Sequence, residues 1–260
     1  MSHSFRTLAG CAVLAAGLWA VTATAADAPD LPKDSYKKAA DADLAFLKSR
    51  LAEIAKAEAG GGKVVPGRVQ SALGVTLLLS AYGDALGDDA LKADALKVTE
   101  AITKKDFKGA NDLIQKLAVK PGTGKAGALP KPLKDSEAML SAIMSPFRAS
   151  ASGGLGIEKD LRDMSKATGG AKIDPAAVEI LAVRTTVINA YAFHNPNNKA
   201  TVNAANQKKW EKYATESIDF GKQLTTEAAK GAKADEKKLK TLLSSVNARC
   251  TSCHNDFRDD

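Results

Sequence analysis

Apolar residues recur at steps of three and four positions along most of this 260-residue chain. This spacing places them on one face of an α-helix, where they can pack against neighbouring helices. The clearest series are Leu44, Leu47, Leu51 and Ile54; Phe107, Ala110, Ile114 and Leu117; and Trp210, Tyr213, Ser217, Phe220 and Leu224. No alternation of β-branched residues with hairpin signals accompanies them. The sequence therefore predicts an all-α fold.

Composition excludes several other classes. The chain is 45% hydrophobic with mixed charges, which is too apolar for a disordered protein, and three cysteines are too few for a disulfide scaffold. The formal net charge of +7 is spread among mixtures of Lys with Asp or Glu, as in residues 104–106 and 235–238. A nucleic-acid surface concentrates Lys and Arg and interleaves aromatics, so we expect no nucleic-acid partner.

The first 26 residues have the pattern of a signal peptide. Arg6 is the only charged residue before Asp27, an apolar run covers residues 8–21, and Ala-Thr-Ala at 23–25 suits signal peptidase. That run of about 14 residues is shorter than the about 20 that a membrane span needs. Cys11 opens the run, whereas a lipoprotein cysteine would close it. We therefore expect periplasmic or other export, loss of Cys11 with residues 1–26, and no membrane span in the mature chain.

A stretch rich in Pro, Gly and Lys, residues 119–135, divides the remaining chain. Such a segment cannot sustain a helix and suits a linker between residues 27–118 and 136–260. The helices predicted on either side are 36–59, 67–84, 88–103 and 106–118, then 136–150, 156–168, 175–193, 202–229 and 235–257. Four main helices per half, joined by short loops, predict two tandem antiparallel four-helix bundles.

The two halves are related by an internal repeat. A shift of 109 residues aligns eight identical residues within 23 positions. The matched pairs are Gly60 and Gly169, Gly61 and Gly170, Lys63 and Lys172, Pro66 and Pro175, Val69 and Val178, Thr76 and Thr185, Ala81 and Ala190, and Tyr82 and Tyr191. Glycines that end one helix and a proline in the first turn of the next predict the same helix-turn-helix entry in each half.

The last predicted helix carries Cys250-Thr251-Ser252-Cys253-His254, the Cys-x-x-Cys-His signature of covalent c-type haem attachment. Two thiols three positions apart on a helix can reach the vinyl groups along one porphyrin edge. The following imidazole can bind the iron as proximal ligand. The motif predicts one covalently attached haem c, held in the second bundle, with export outside the cytoplasm as this attachment requires.

A redox disulfide and half of a zinc site are the competing interpretations of Cys250 and Cys253. A thioredoxin-type pair opens a helix after a strand, and a structural zinc site needs four ligands. The predicted mature chain has no further cysteine, and His194 is its only other histidine. These counts favour haem.

The motif at the end of the chain, closing with Phe257-Arg258, resembles that of the cytochrome c prime family. The resemblance covers residues 136–260 and implies a haem near one end of a four-helix bundle. It also implies that Cys250 and Cys253 form the thioethers, His254 is the proximal ligand and Arg258 lies beside the haem.

The chain departs from this family in two ways. Family members are usually a single bundle, whereas residues 27–118 form an additional half without cysteine or histidine, which cannot hold a c-type haem. The helix that supplies the distal face is interrupted at residues 152–156, Ser-Gly-Gly-Leu-Gly, so no distal residue carries over by position.

In the family, the sixth iron position separates two functions. An apolar distal side chain leaves five-coordinate iron that admits small gases, and here Leu155 or Phe147 is the candidate. A methionine ligand gives low-spin iron that suits electron transfer. The candidate methionines are Met139, Met144 and Met164, with Met144 ahead; each has the alternative role of core filler. His194 is a weaker candidate, since its position beside Asn195-Pro196 is typical of a surface cap.

We therefore expect an exported monohaem c-type cytochrome acting in electron transfer, with a protein that binds nitric oxide or carbon monoxide as the alternative. We expect no enzyme, because peroxide activation normally uses a distal acid-base group and only His194 is available. Expected partners are redox proteins or small gases, with a second copy of the chain as a further candidate. For residues 27–118 the simplest interpretation is a duplicate that lost its haem site. Their Asp84, Asp88 and Asp89 are predicted helix caps rather than a metal site.

Overall fold

The computed structural model describes residues 28–123, 129–133, 135–166 and 173–258. Within these ranges the chain is helical and contains no strand, which confirms the all-α prediction. The α-helices are α1 (Lys33–Ala59), α2 (Pro66–Leu86), α3 (Asp89–Thr103), α4 (Phe107–Lys116), α5 (Ser136–Met144), α6 (Ile157–Ser165), α7 (Pro175–His194), α8 (Asn198–Thr201), α9 (Ala204–Ala228) and α10 (Glu236–Phe257). The predicted signal peptide, residues 1–26, lies outside the described residues.

The first four helices pack in a ring, α1 against α2 and α4, and α3 against α2 and α4. Local signals set their ends. Pro66 stands in the first turn of α2, where its missing N–H costs no hydrogen bond, and Gly87 ends that helix at φ 67°. The Asp88 and Asp106 carboxylates cap α3 and α4. The prediction of Asp88 as a cap is confirmed. The cap predictions for the other two aspartates are wrong, since Asp84 lies inside α2 and pairs with Lys92, and Asp89 is the first residue of α3.

The second half is built around α7, which contacts α5, α6 and α9, while α10 packs against α6 and α9. Helices α7, α9 and α10 begin at Asp174, Asn203 and Asp235, whose side chains each accept a hydrogen bond from a backbone N–H of the first turn. Among the described helices, α7 alone has the length and hydropathy of a membrane span, and 67% of that window is buried inside the protein. Such burial is typical of a core helix.

One hydrophobic core runs through both halves, since α1 packs against α7 and α2 packs against α5. Buried polar pairs join α1 to α7. The Arg184 guanidinium donates to the Asp43 carboxylate (Nε to Oδ1, 2.8 Å), and the Tyr82 hydroxyl donates to its other oxygen. Glu179, only 2% exposed, accepts from the Ser35 hydroxyl (2.6 Å) and the Lys38 ammonium (2.8 Å). The buried carboxylates Asp43 and Glu179 therefore each have their cationic partner in the other half of the chain.

In two places the structure contains separate short helical elements that the sequence did not predict. The helix predicted over 136–150 is wrong beyond Met144, because Pro146 cannot continue the hydrogen-bond ladder, and 3₁₀ turns follow at Ser145–Phe147 and Ser150–Ser152. The helix predicted from 202 begins at Ala204 behind the Asn203 cap, and α8 precedes it.

The described residues of the predicted linker, 119–135, contain no helix but lie against the first half. The Lys120 N–H donates to the Asp88 carboxylate (2.7 Å), the Gly122 N–H donates to the Leu86 carbonyl (3.1 Å), and Leu129 is buried in the common core. The division into a haemless bundle, a linker and a haem bundle stays a prediction, as does the tandem arrangement of two four-helix bundles.

Candidate functional site

The Cys-x-x-Cys-His motif lies in the last two turns of α10. Upstream, the same helix face buries Leu239, Leu242, Leu243 and Val246 in the common core. That face continues at steps of three and four into Cys250, Cys253 and Phe257. The two cysteines and His254 are partly buried, and the Arg258 N–H closes the helix by donating to the His254 carbonyl (3.0 Å).

Two adjoining cavities open beside the motif. The larger, of about 400 Å³, is lined by Cys253 and His254, and the smaller, of about 240 Å³, by Cys250 and His254. Phe147 and Glu158 also line both. All three chemically distinctive side chains of the motif therefore face the same interior region, between α10, α6 and the segment that follows α5.

Apolar side chains form much of the wall of the larger cavity. They come from α5 (Leu140 and Met144), from the following 3₁₀ turn (Phe147), from α9 (Trp210) and from the end of α10 (Phe257). Polar and charged residues complete its lining: Glu137, Ser141, Ser145, Arg148, Glu158, Asn197 and Arg258. The cavity therefore combines apolar walls with an at least equal number of polar and charged groups, and both kinds of group are found in cofactor sites.

An aromatic cluster anchors the end of α10. The Phe257 ring meets the Trp210 ring edge-on at 5.4 Å between centroids and the Tyr213 ring at 6.4 Å. The Trp210 indole N–H donates to the Ala192 carbonyl (2.8 Å), and the Asn197 amide donates to the Phe257 carbonyl (2.7 Å). Phe257 is only 2% exposed, so it packs the end of α10 against α9.

Burial sets the protonation of the motif. It raises the pKa of the Cys250 thiol to about 12 and that of the Cys253 thiol to about 11, with smaller contributions from Cys253 and from Asp256 respectively. Burial also lowers the pKa of His254, and the nearby Arg258 charge adds to this effect. Neutral thiols differ from the thiolate, with its lowered pKa, that reactive dithiol sites use.

Of the candidates for the distal side, Met144 and Phe147 line the larger cavity. Met139 is instead fully buried in the common core, and Met164 and Leu155 pack against that core. His194 ends α7 with its ring against Phe193, outside both cavity linings. Burial, and then the charge of Lys131, lower its pKa.

Arg148, Glu158, Asn197 and Trp210 are among the residues of the cavity wall that sequence reasoning did not identify as site residues. Trp210 had a signal, since it belongs to the apolar face of α9. The other three are polar residues at helix ends or in turns, and only the tertiary packing brings them beside His254.

Within the described ranges, no group of three or more His, Cys, Asp or Glu side chains is arranged to hold a metal ion. Comparisons with protein-family models, with curated proteins and with solved structures gave no match to this chain.

Proposed function

We propose that this protein is an exported monohaem c-type cytochrome that acts in electron transfer. One observation carries the proposal: Cys250, Cys253 and His254 line two adjoining cavities that share His254 and Phe147, and the larger of them has apolar side chains along much of its wall. A surface Cys-x-x-Cys-His without such a space would have no room for a macrocycle. The site therefore joins the attachment motif to a place for its cofactor.

The residues present fit a haem. Its flat ring is apolar and needs apolar walls, which Leu140, Phe147 and Trp210 offer. Its two propionate carboxylates need cationic partners or water, and the exposed guanidinium groups of Arg148 and Arg258 are suited to carboxylates. When bound, haem iron supplies a one-electron ferric/ferrous couple.

The motif residues would hold this group covalently. Cys250 and Cys253 would each hold the haem through a thioether bond to one vinyl group, formed by addition of S–H across the double bond without any oxidant. Burial and the Arg258 charge lower the pKa of His254, which favours the neutral imidazole that would be needed to bind iron.

The other wall of the cavity separates two functions. Met144, on α5, lines the same cavity as His254, and a thioether ligand would raise the reduction potential of haem iron and suit electron transfer. Phe147 lines that cavity too and supports the alternative, in which an apolar wall leaves the iron five-coordinate and open to nitric oxide or carbon monoxide.

Visible absorption spectra of the ferric and ferrous protein, with and without carbon monoxide, test this assignment. Electron transfer with a Met144 ligand predicts six-coordinate low-spin spectra in both states. High-spin five-coordinate spectra with carbon monoxide binding would instead establish the gas-binding alternative. Met144→Leu should convert low-spin iron to high-spin, whereas the matched variant Met139→Leu, in the common core, should leave the spectrum unchanged.

Export is the remaining part of the proposal. It rests on the predicted signal peptide of residues 1–26 and on the attachment chemistry, which takes place outside the cytoplasm. N-terminal sequencing of the protein recovered from the periplasm should find a chain that begins at Ala26 or Asp27. An intact N-terminus on haem-loaded protein would contradict cleavage.

A further inference from the structure

Helix α2, in the half without cysteine or histidine, supports the cavity wall of the other half. The wall segment, residues 139–156, carries Met144, Phe147 and Arg148 into the larger cavity. Its other side lies against α2, which contacts both α5 and the 3₁₀ turn Ser145–Phe147. The residues facing the motif and the residues facing α2 therefore belong to one short stretch of chain.

The contacts on α2 lie along one helix face. Gly67, Gln70 and Gly74 are spaced at three and four residues, so they form a single row. Gly67 meets Ser152 at the far end of the wall segment, and Gly74 meets Ala142 and Ser145 at its near end. Between them, the Gln70 carbonyl accepts a hydrogen bond from the Ser145 hydroxyl (2.8 Å).

The two glycines are needed for this close approach. A Cβ added at Gly67 would lie 2.6 Å from the Ser152 carbonyl oxygen, and one added at Gly74 would overlap the Ala142 carbonyl oxygen and come within 2.9 Å of the Pro146 ring. These neighbours are backbone atoms or a proline ring, which cannot rotate away. Any side chain at Gly74 would therefore displace the wall segment away from α2 and change its position relative to the motif helix α10.

We propose that Gly67, Gln70 and Gly74 are positioning residues for the distal side of the site, so that the haemless half sets where Met144 and Phe147 stand relative to His254. This inference rests on the proposed haem function of the motif. It assigns to residues 27–118 a specific task beyond that of a degenerate duplicate. The α2 row acts through the wall segment and touches no part of the cavity itself.

The test substitutes Gly74→Ala in the full-length haem-loaded protein and measures the ferric absorption spectrum and the midpoint potential. Displacements transmitted through packed elements change equilibria by about 2- to 30-fold, which for a one-electron couple is about 20 to 90 mV. We expect a potential shift in that range together with a changed proportion of high-spin and low-spin iron.

Gly83→Ala is the matched control. Gly83 also lies on α2, is buried, and an added Cβ would lie 2.5 Å from the Lys92 nitrogen of α3. Within the described part of the chain, α3 contributes no residue to either cavity lining. Both variants should therefore lose stability, but only Gly74→Ala should change the spectrum and the potential.

Gly67→Ala keeps the test decisive if Gly74→Ala does not fold, because Gly67 lies in the first turn of α2 and its overlap is milder. A smaller spectral and potential change, absent from Gly83→Ala, supports the proposal. Wild-type values in a folded Gly67→Ala or Gly74→Ala protein, or equal changes in Gly83→Ala, would overturn it. Wild-type protein without any haem spectrum would instead overturn the proposed function on which it rests.

Discussion

The two halves have a helix-capping residue at the same position of the internal repeat, but its second hydrogen bond differs between them. Under the 109-residue shift Asp88 corresponds to Asn197, and each caps the next helix by accepting from a backbone N–H three residues on. The second polar atom of each side chain makes a different hydrogen bond. The second Asp88 oxygen accepts from the Lys120 N–H, whereas the Asn197 amide donates to the Phe257 carbonyl. The capping residue therefore also bonds to the segment after α4 in the first half, and to the end of the motif helix α10 in the second half.

A second divergence follows directly along the chain. Helix α3 ends at Thr103, and a turn with Lys105 at φ 60° leads to α4. At the corresponding positions α9 continues without interruption, and its length brings Trp210 and Tyr213 onto Phe257. The repeat is therefore visible in helices α2 and α7. The helices that follow them differ between the halves, and in the second half they pack against the helix that carries the motif.

Asp43→Ala should have the largest effect on stability, because it breaks the contact between the halves. It leaves the Arg184 guanidinium, whose side chain is 16% exposed, without its carboxylate. Loss of one partner of a buried ion pair costs about 3–5 kcal/mol. Urea unfolding followed by Trp210 fluorescence should therefore report a large loss in the second half, although the substitution lies in α1.

Asp41→Ala is the control for this prediction. Asp41 lies on the same helix and pairs with Lys37, but its side chain is 51% exposed. Its removal should cost less than about 1 kcal/mol. Equal urea midpoints for the two variants would show that the buried pair does not couple the halves.

Exchanging the two capping residues should have an intermediate effect on stability. Asp88→Asn and Asn197→Asp each keep a helix cap, because the two residues cap about equally well. Each reverses the second contact, so that an amide faces the Lys120 N–H or a carboxylate faces the Phe257 carbonyl. An unmet buried polar group costs about 1–3 kcal/mol. We expect lower urea midpoints for both; unchanged midpoints would mean that these second contacts carry no free energy.

A smaller, pH-dependent effect is expected at Glu227, which falls opposite Ala118 in the repeat. Its carboxylate accepts from the Asp235 N–H (3.0 Å) and pairs with Lys230 and Lys238, and these contacts lower its pKa from 4.5 to about 2. A lowered pKa means that the stabilisation is present above pH 4.5 and is lost as the pH falls towards 2.

Glu227→Gln should therefore reduce stability at neutral pH and flatten the acid side of the stability curve between about pH 5 and 2. Thermal unfolding measured across that range checks this. Glu211→Gln, on the same helix, is the control; its carboxylate accepts from Gln207. A parallel decline of wild type and Glu227→Gln on acidification would contradict the assignment.

Helical periodicity and capping signals predicted most of the fold. Pro66 and Pro175 begin their helices as the repeat indicates, while Gly169, Gly170 and Lys172 lie outside the described residues. Periodicity did not predict the early end of α5 before Pro146, because apolar spacing alone does not register a missing backbone donor. The packing of α1 against α7, which joins the cores of the two halves, was also not predicted. The apolar spacing of a helix shows that one face is buried, but not which helix packs against that face.

For the site, the motif predicted Cys250, Cys253 and His254 as haem-binding residues, and the structure shows that they line two adjoining cavities. The distal side was reduced to a short set of candidates, and tertiary packing separated Met144 and Phe147 from Met139, which the common core buries. The close packing of α2 against the wall segment had no signal in the sequence, because Gly67 and Gly74 become informative only when the facing carbonyls are known.

Covalent attachment of haem to Cys250 and Cys253 decides whether this protein is a c-type cytochrome. The protein is produced with its signal peptide in a host with a cytochrome c maturation system, and a denaturing gel is stained for haem, with intact mass measured alongside. We predict one haem per chain in wild type and in Ser252→Ala, and none in the Cys250→Ala/Cys253→Ala double variant. Wild-type protein that is folded and exported but carries no covalent haem would contradict the account.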